Sequence, residues 1–330
     1  MIEGRRRAGV WAGAFAAAAL LAAASQARAD EAVQVDPKVQ PYNVVGGISG
    51  NLSSVGSDTL NNLMTFWSEK FAKFYPNVKV QVEGKGSSTA PPALISGTAQ
   101  LGPMSRTMKN TEIDEFEKKF GYKPLPIRVA VDSLAVFVNK DNTIDCLSLP
   151  QVDAIFSKSR RLGYQEDVKT WGQAGLRQDW IDRPISLYGR NSASGTYGFF
   201  KEHVLGNGDY KDEVKEQPGS ASVVQGVTVD RFGIGYSGIG YATPGVRAVP
   251  LSKEQGGACV EPNATNAYSG KYPIARFLYI YVNKPSKGME PLTREFLKMV
   301  LSKEGQEEVM KDGYFPLPVN VLEEDVKKIE

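Results

Sequence analysis

Thirteen residues near the middle of the chain are Ile127-Arg-Val-Ala-Val-Asp-Ser-Leu-Ala-Val-Phe-Val-Asn139. This run is apolar enough to form a buried strand and long enough to pass through one lobe into another. A second run of the same kind is Ala275-Arg-Phe-Leu-Tyr-Ile-Tyr-Val-Asn283, and both runs lead into the same Val-Asn-Lys sequence. About 140 residues lie between the two runs, which is enough for one α/β lobe. The pattern predicts two crossing strands that join two lobes.

The rest of the chain supplies the elements of these lobes. From about Gly50 onward, strand-like segments alternate with helix-like segments, which is typical of an α/β protein. We therefore expect lobe I at residues 45–137 plus 277–330 and lobe II at residues 138–276. A polar, extended lead-in is expected at residues 30–44. A ligand of such a protein is expected in the cleft between the lobes.

The first 29 residues have the features of a secretory signal peptide. Arg5-Arg-Arg7 forms a positive start, Val10 to Ala24 is apolar, and Ala27-Arg-Ala29 provides a small-x-small cleavage site. We predict export to the periplasm, and an uncleaved membrane anchor is the alternative. Residues 1–29 hold four arginines and one glutamate, so the remainder carries 35 basic and 36 acidic residues. This balance, without a basic stripe, argues against nucleic acid as a partner.

Two cysteines and one histidine limit the chemistry of the chain. Cys146 and Cys259 form a disulfide or remain as two buried thiols, and an oxidising compartment permits the first. The only histidine, His203, makes a histidine-based metal site implausible. We expect neither a metal nor a cofactor.

The loop Arg190-Asn-Ser-Ala-Ser-Gly-Thr196 carries the strongest functional signal. An apolar strand-like run precedes it and a helix-like run follows it, so the loop offers helix-start amides, hydroxyl groups and the positive end of a helix dipole. Arg190 adds a planar fork of donors that suits a tetrahedral oxyanion. Every group in this loop donates hydrogen bonds, and none is a nucleophile beside a base. The loop therefore predicts a cradle for a small anion such as phosphate.

Three further turns share this small, hydroxyl-bearing character and open onto helices. They are Gly56-Ser-Asp-Thr59, Gly86-Ser-Ser-Thr89 and Met104-Ser-Arg-Thr107. One such turn alone usually marks only a helix cap. Four turns that follow strand ends are a stronger signal, because ligands of open α/β sheets bind beyond the carboxyl ends of the strands.

With these turns in place, the chain resembles the periplasmic phosphate-binding component of the high-affinity phosphate ABC transporter. The resemblance extends from about Gly50 to Pro318, and the members in pseudomonads carry similar Gly-Ser-Asp-Thr-Leu and Gly-Ser-Ser-Thr-Ala-Pro-Pro-Ala-Leu stretches. It implies a type II periplasmic binding protein fold, with two α/β lobes that close on phosphate about two crossing strands. It further implies a monomer that delivers phosphate to an inner-membrane ABC permease.

The resemblance also implies a set of phosphate-binding residues. The family element Arg-x-x-x-Ser-Gly-Thr is matched in full, the Gly-Ser-Ser turn is matched at its contact serine, and two further turns align with contact positions. The resulting set is Asp58, Thr59, Ser87, Arg106, Arg190, Ser194, Gly195 and Thr196.

Two of these positions depart from the best-known members of the family. Those members have Thr and Phe where this chain has Asp58 and Thr59, and an acidic acceptor for a phosphate proton where it has Arg106. We hypothesise that Asp58 takes over the acceptor role, whereas Arg106 adds a second cation. The alternative is that Asp58 pairs with Arg106 or caps its helix.

Other functional signals in the sequence are weaker. The segment Gly233-Ile-Gly-Tyr-Ser-Gly238 matches G-x-G-x-x-G, but no clear helix follows it, so we expect its glycines to serve tight turns. Ser194 and His203 lack the surrounding motif of a hydrolase. We therefore predict a binding protein without enzymatic activity. A secreted phosphatase, or a phosphate-sensing or adhesive surface protein that reuses the fold, is the alternative.

Overall fold

The structure, a computed structural model, describes residues 33–330. The predicted signal peptide and its cleavage site lie outside the described residues. Within residues 33–330 the chain forms eleven strands and ten α-helices. The strands are β1 (Gly50–Val55), β2 (Val78–Glu83), β3 (Gly102–Met104), β4 (Leu125–Asn139), β5 (Leu147–Ser148), β6 (Ser186–Arg190), β7 (Lys215–Gln217), β8 (Gly233–Gly238), β9 (Val246–Ala248), β10 (Leu251–Ser252) and β11 (Ala275–Val282). The helices are α1 (Asn61–Phe74), α2 (Ala90–Ser96), α3 (Asn110–Phe120), α4 (Leu149–Phe156), α5 (Gly195–His203), α6 (Ser220–Val229), α7 (Ala264–Tyr268), α8 (Pro291–Val300), α9 (Lys303–Lys311) and α10 (Val319–Ile329).

The two long apolar runs form β4 and β11, which pair antiparallel along the whole of β11. The main sheet has the order β3-β11-β4-β8-β6-β7, and β9 pairs with the end of β4. The first part of β4 contacts β11, whereas Leu134–Val138 contacts β8. The strand β4 therefore pairs with β11 along its first part and with β8 along its second part. The α/β fold with crossing strands agrees with the prediction.

Apolar side chains form two large cores, one on each side of this crossing. Apart from α7, the first contains side chains that precede Leu134 or follow Ala275, and the second contains those between Leu134 and Ile274. This division lies close to the predicted lobe boundaries, which stay a prediction at the level of single residues. Two segments pack differently from the prediction. Val39 of the lead-in and Ala264 of α7 both belong to the first core.

The first βαβ unit shows why the turns of lobe I come together. β1 and β2 are parallel, and α1 connects them with its apolar face against the first core. β1 also makes a parallel bridge to the chain just before β3, between Ser54 and Leu101. Because the carboxyl ends of parallel strands lie at one edge, the turns after β1, β2 and β3 meet there.

Cys146 and Cys259 are joined by a disulfide in the structure. The bridge links the chain before β5 to the chain after β10, two strands that pair in parallel. None of the helices in residues 33–330 combines the length and apolar character needed to cross a membrane.

A buried carboxyl follows α9 at Asp312. The side chain is 8% exposed, and its Oδ2 has no hydrogen-bond partner within residues 33–330. Burial raises the pKa of Asp312 from 3.8 to about 7, and the side chain of Asn62 and the charge of Lys311 only partly oppose that change. The folded protein therefore favours the protonated carboxyl.

We expect Asp312→Asn to raise the free energy of unfolding at pH 8 by about 1–3 kcal/mol and to have a much smaller effect at pH 4. Because the folded-state pKa is raised, the stabilisation by the native carboxyl is fully present below pH 3.8 and is lost as the pH rises through 7. Guanidinium chloride unfolding at both pH values measures this difference. The exposed Asp114→Asn is the matched control, and equal gains at the two pH values would contradict the argument.

Candidate functional site

Lobe I contributes three short turns to the site. Asp58 and Thr59 begin the turn after β1, Ser87 lies in the turn after β2, and Ser105 follows β3. The side chains of Thr59, Ser87 and Ser105 are at most 1% exposed. A cluster of buried hydroxyls at one sheet edge needs hydrogen-bond partners, and the turns supply part of them to one another.

Lobe II contributes the end of β6 and the start of α5. Arg190 is the last residue of β6 and is 1% exposed. Ser194 is the N-cap of α5, where its Oγ accepts a hydrogen bond from the Tyr197 amide at 3.3 Å. Gly195 and Thr196 follow as the first helical residues, so their amides have no acceptor within the helix. This start of α5 has the strand, loop and helix layout that the sequence predicts.

Direct contacts join the two lobes at the site. Thr59 Oγ1 and Thr196 Oγ1 are 2.8 Å apart, and the Ser88 amide donates to the Ala193 carbonyl at 3.1 Å. The backbone of Gly195 lies so close to lobe I that an added Cβ would be 2.1 Å from Ser87 Oγ. These contacts bring helix α5 directly against the turns of lobe I.

Asp58 reaches across the cleft instead of serving its own helix. Its Oδ2 accepts the Ser220 amide at the start of α6 at 2.7 Å and lies 3.3 Å from Arg190 Nη1. Arg190 Nη1 also donates to Ser220 Oγ at 2.7 Å. The alternative in which Asp58 pairs with Arg106 or caps its own helix therefore does not describe the structure. Asp58 instead forms an ion pair with Arg190 and accepts a hydrogen bond from the start of α6 in the opposite lobe.

Arg106, another predicted site residue, has its guanidinium directed at Glu112 and not at Asp58 or Arg190. Its two terminal nitrogens donate to the carboxylate of Glu112 at 2.7 Å each, and Nη2 also reaches Ser88 Oγ at 3.2 Å. The side chain lines an adjoining cavity of about 850 Å³, beside Ser194 and Arg276. That Arg106 supplies a second cation to the site stays a prediction, and in the structure its guanidinium pairs with Glu112, six residues further on.

The second cation near the cluster is Arg276 on β11. Its Nε donates to Asp132 Oδ2 at 2.9 Å, its Nη1 donates to the Ser105 carbonyl at 2.8 Å, and its Nη2 donates to Thr196 Oγ1 at 2.9 Å. Arg276 is 7% exposed and Asp132 is fully buried. Sequence reasoning treated both strands as apolar and missed this pair. The available signal was a single acidic residue in β4, Asp132, and a single charged residue in β11, Arg276, which has the opposite sign.

The hydroxyls of the cluster share one hydrogen-bonding direction. Thr196 Oγ1 accepts from Arg276, Ser87 Oγ accepts the Ser105 amide at 3.0 Å, and Ser105 Oγ accepts from Ser57 Oγ at 2.9 Å. Ser194 Oγ accepts an amide as the α5 cap. Each hydroxyl therefore accepts a hydrogen bond from the protein and has one proton to donate, either to a neighbouring hydroxyl or to a bound anion. We call these four hydroxyls, of Ser87, Ser105, Ser194 and Thr196, the donor cluster.

Arg190 is a buried cation with unused donor capacity. Burial lowers the pKa of the Arg190 guanidinium below its usual value, and the nearby carboxylate of Asp58 opposes that change. Its Nε is buried and has no hydrogen-bond partner within residues 33–330. A buried donor without an acceptor is costly, so this nitrogen calls for an acceptor from outside the protein.

Ser194 and His203 have separate partners within the part of the chain that the structure describes. Ser194 Oγ is engaged as a cap, whereas the His203 ring stacks on Phe199 with 4.0 Å between ring centroids and its Nδ1 contacts the Phe199 carbonyl. Within residues 33–330, no group of three or more His, Cys, Asp or Glu side chains is arranged to hold a metal ion.

Sequence comparisons place these features in a family context. A family model described as a PBP superfamily domain matches residues 24–304. The phosphate-binding protein PstS of Pseudomonas aeruginosa PAO1 is 56% identical over 314 residues, which cover 95% of this chain and 97% of that protein. The phosphate-binding protein PstS of Staphylococcus haemolyticus is 29% identical and covers 86% of each chain.

Two solved structures have the same fold. A phosphate ABC transporter substrate-binding protein from Clostridium perfringens, with bound phosphate, has a TM-score of 0.69 at 23% identity and covers 82% of this chain and 100% of that one. An ABC-type phosphate transport receptor from Vibrio cholerae has a TM-score of 0.62 at 22% identity, with coverage of 81% and 100%. At these identities the likeness concerns the fold alone.

We expect Gly195→Ala to hold the turns of the two lobes apart. The added Cβ would lie 2.1 Å from Ser87 Oγ and 2.8 Å from Ser87 Cβ, so rotation of the serine alone does not relieve the clash. Amide hydrogen exchange at Ser88, which donates across the cleft, should accelerate by about tenfold or more. Gly46→Ala is the matched control because its Cβ meets no atom within 4 Å. Unchanged exchange at Ser88 would contradict this account of the closed site.

Proposed function

Since this chain belongs to the PstS family of phosphate-binding proteins, the substrate-binding components of phosphate ABC transporters, we propose that inorganic phosphate binds at its donor cluster and passes from there to an ABC permease. The observation that carries the proposal is the common direction of the hydroxyl hydrogen bonds. Four buried hydroxyls each accept a hydrogen bond from the protein and have a proton to donate, and phosphate oxygens are acceptors. The helix-start amides of Gly195 and Thr196 add two donors of the same kind.

The strength of such a site follows from the number of donors. Hydrogen bonds to a charged group contribute about 1.5–3 kcal/mol each, so six of them would outweigh the cost of ordering a small ion. The efficiency limit for very small ligands is about 1.5 kcal/mol per heavy atom. Five heavy atoms then give roughly 7.5 kcal/mol, which corresponds to a dissociation constant in the micromolar range.

We assign the charge of the site to Arg190. Its buried Nε lacks an acceptor within residues 33–330, and a phosphate oxygen would satisfy it. The hydroxyl of Ser105 adds a donor from the structure, and Thr59, Ser87, Ser194, Gly195 and Thr196 complete the proposed phosphate contacts. Arg106 is left out because Glu112 already engages it.

Asp58 is the proposed acceptor for the phosphate proton. Dibasic phosphate carries a proton at neutral pH and donates one hydrogen bond, whereas sulfate has no proton to donate. The Asp58 carboxylate faces the cleft, where its Oδ2 is engaged by Ser220 and Arg190. An anion that brings no proton would leave this carboxylate facing a negative oxygen, which is unfavourable in a buried site.

The remaining features of the proposal follow the family. We propose that the protein acts as a monomeric binding protein without enzymatic activity and that residues 1–29 direct it to the periplasm. Among residues 33–330, the contact at Ser194 Oγ is the Tyr197 amide and not a base, which favours binding over a phosphatase activity because nucleophilic catalysis needs a base.

The proposal predicts that the mature protein, freed of bound ligand, binds one phosphate per chain and that a large excess of sulfate does not displace it. Isothermal titration calorimetry with each anion, and with phosphate in the presence of sulfate, measures both affinities. Heat from phosphate that sulfate abolishes would contradict the proposed selectivity. No heat from either anion, with phosphate also failing to raise the melting temperature, would overturn the proposed function.

We expect Asp58→Asn to weaken phosphate binding by about 10–100-fold and to weaken sulfate binding less or not at all. Asparagine retains an oxygen that can accept the Ser220 amide, so the change mainly removes the negative charge and the preferred proton acceptor. The ratio of the two dissociation constants is the decisive quantity. Asp209→Asn, at an exposed carboxylate of lobe II, is the matched control. An unchanged ratio would rule out the acceptor role of Asp58.

A further inference from the structure

Arg276 and Asp132 are a buried ion pair on the two crossing strands. They lie directly opposite each other in the antiparallel register of β11 and β4, and Arg276 Nη2 is 2.8 Å from Asp132 Oδ2. Two buried charges are costly unless their remaining hydrogen-bonding groups are satisfied. Arg276 satisfies its own through Ser105 and Thr196, which belong to the proposed phosphate site.

We propose that Arg276 is a positioning residue for phosphate, because it fixes the Thr196 hydroxyl as a donor and ties the donor cluster to the crossing strands. This inference rests on the proposed function of the site. Arg276 does not need to contact phosphate itself. It acts through the hydrogen bond from its Nη2 to Thr196 Oγ1 at 2.9 Å.

The effect on Thr196 follows from the chemistry of a hydroxyl group. A threonine hydroxyl accepts or donates according to its neighbours. The Arg276 N–H occupies one lone pair of Thr196 Oγ1, which leaves the hydroxyl proton for another acceptor. Thr59 Oγ1, at 2.8 Å, and a phosphate oxygen are the acceptors within reach of that proton. A charged donor also polarises the hydroxyl and strengthens the hydrogen bond that it gives.

The planar guanidinium is suited to this position in a way that an ammonium is not. Its three nitrogens reach Asp132 on β4, the Ser105 carbonyl of lobe I and Thr196 of lobe II at the same time. A lysine has one charged nitrogen and cannot hold all three partners in a fixed plane. Arg276 therefore fixes the relative positions of the strand crossing, the turn after β3 and the start of α5.

A double-mutant cycle tests whether Arg276 acts through Thr196. The variants are Arg276→Lys, Thr196→Val and the combination, with phosphate dissociation constants measured by calorimetry. We expect each single substitution to weaken phosphate binding by about 10–100-fold. The phosphate dissociation constant of the double variant should exceed that of the weaker-binding single variant by at most about threefold. The reason is that either single substitution already removes the hydrogen bond between residues 276 and 196.

Arg128→Lys is the matched control for this cycle. Arg128 lies on the other crossing strand, β4, and pairs with Glu324 and Asp325. Its substitution should leave the phosphate dissociation constant within about twofold of the wild-type value. Unfolding midpoints of all variants distinguish weakened binding from a loss of folded protein. If Arg276→Lys does not fold, Asp132→Asn combined with Arg276→Gln removes both charges, and the same cycle with Thr196→Val is run on that background.

The outcomes separate this inference from the proposed function. Phosphate binding by the wild type, with non-additive effects in the cycle, supports both. Phosphate binding by the wild type with fully multiplicative effects, or with no effect of Arg276→Lys, overturns the role of Arg276 alone. If the wild-type protein does not bind phosphate, the proposed function fails and this inference fails with it.

Discussion

The ion pair between Arg276 and Asp132 is the interaction on which the rest of the site depends. The pair lies where β4 and β11 cross between the two cores, and both side chains are removed from water. A buried pair of this kind contributes little net stability unless every remaining donor is satisfied. The remaining donors of Arg276 reach the Ser105 carbonyl of lobe I and Thr196 Oγ1 of lobe II. One guanidinium therefore holds a residue of each lobe by a hydrogen bond.

The sequence predicts the strand crossing and the turns because their signals are local. The runs at 127–139 and 275–283 become β4 (Leu125–Asn139) and β11 (Ala275–Val282), and the capping pattern at Ser194 becomes the start of α5. Arg276 and Asp132 were missed because their roles depend on strand register, and single-sequence patterns do not specify which residue of one strand faces which residue of another.

Two other differences from the prediction also arise from tertiary packing. The glycines of Gly233–Gly238 were expected in tight turns, and that expectation was wrong, because they form the buried strand β8. A Cβ on Gly235 would lie 2.8 Å from Val223 of α6, so glycine there allows the helix to pack closely on the strand. Arg106 does occupy the predicted turn, but Glu112 on the following helix draws its guanidinium away from the donor cluster.

Each arginine near the site has its own carboxylate, which limits what charge alone can contribute. Arg190 lies beside Asp58, Arg276 beside Asp132 and Arg106 beside Glu112. The formal charges of these three pairs cancel, so selectivity for an anion must depend mainly on the direction of hydrogen bonds. A cluster whose hydroxyls and amides offer donors to the ligand, with one carboxylate that accepts, distinguishes a protonated oxyanion from an unprotonated one of similar size. Buried interactions of this kind are also screened less by salt than surface charges, so such a site would keep its preference as the ionic strength changes.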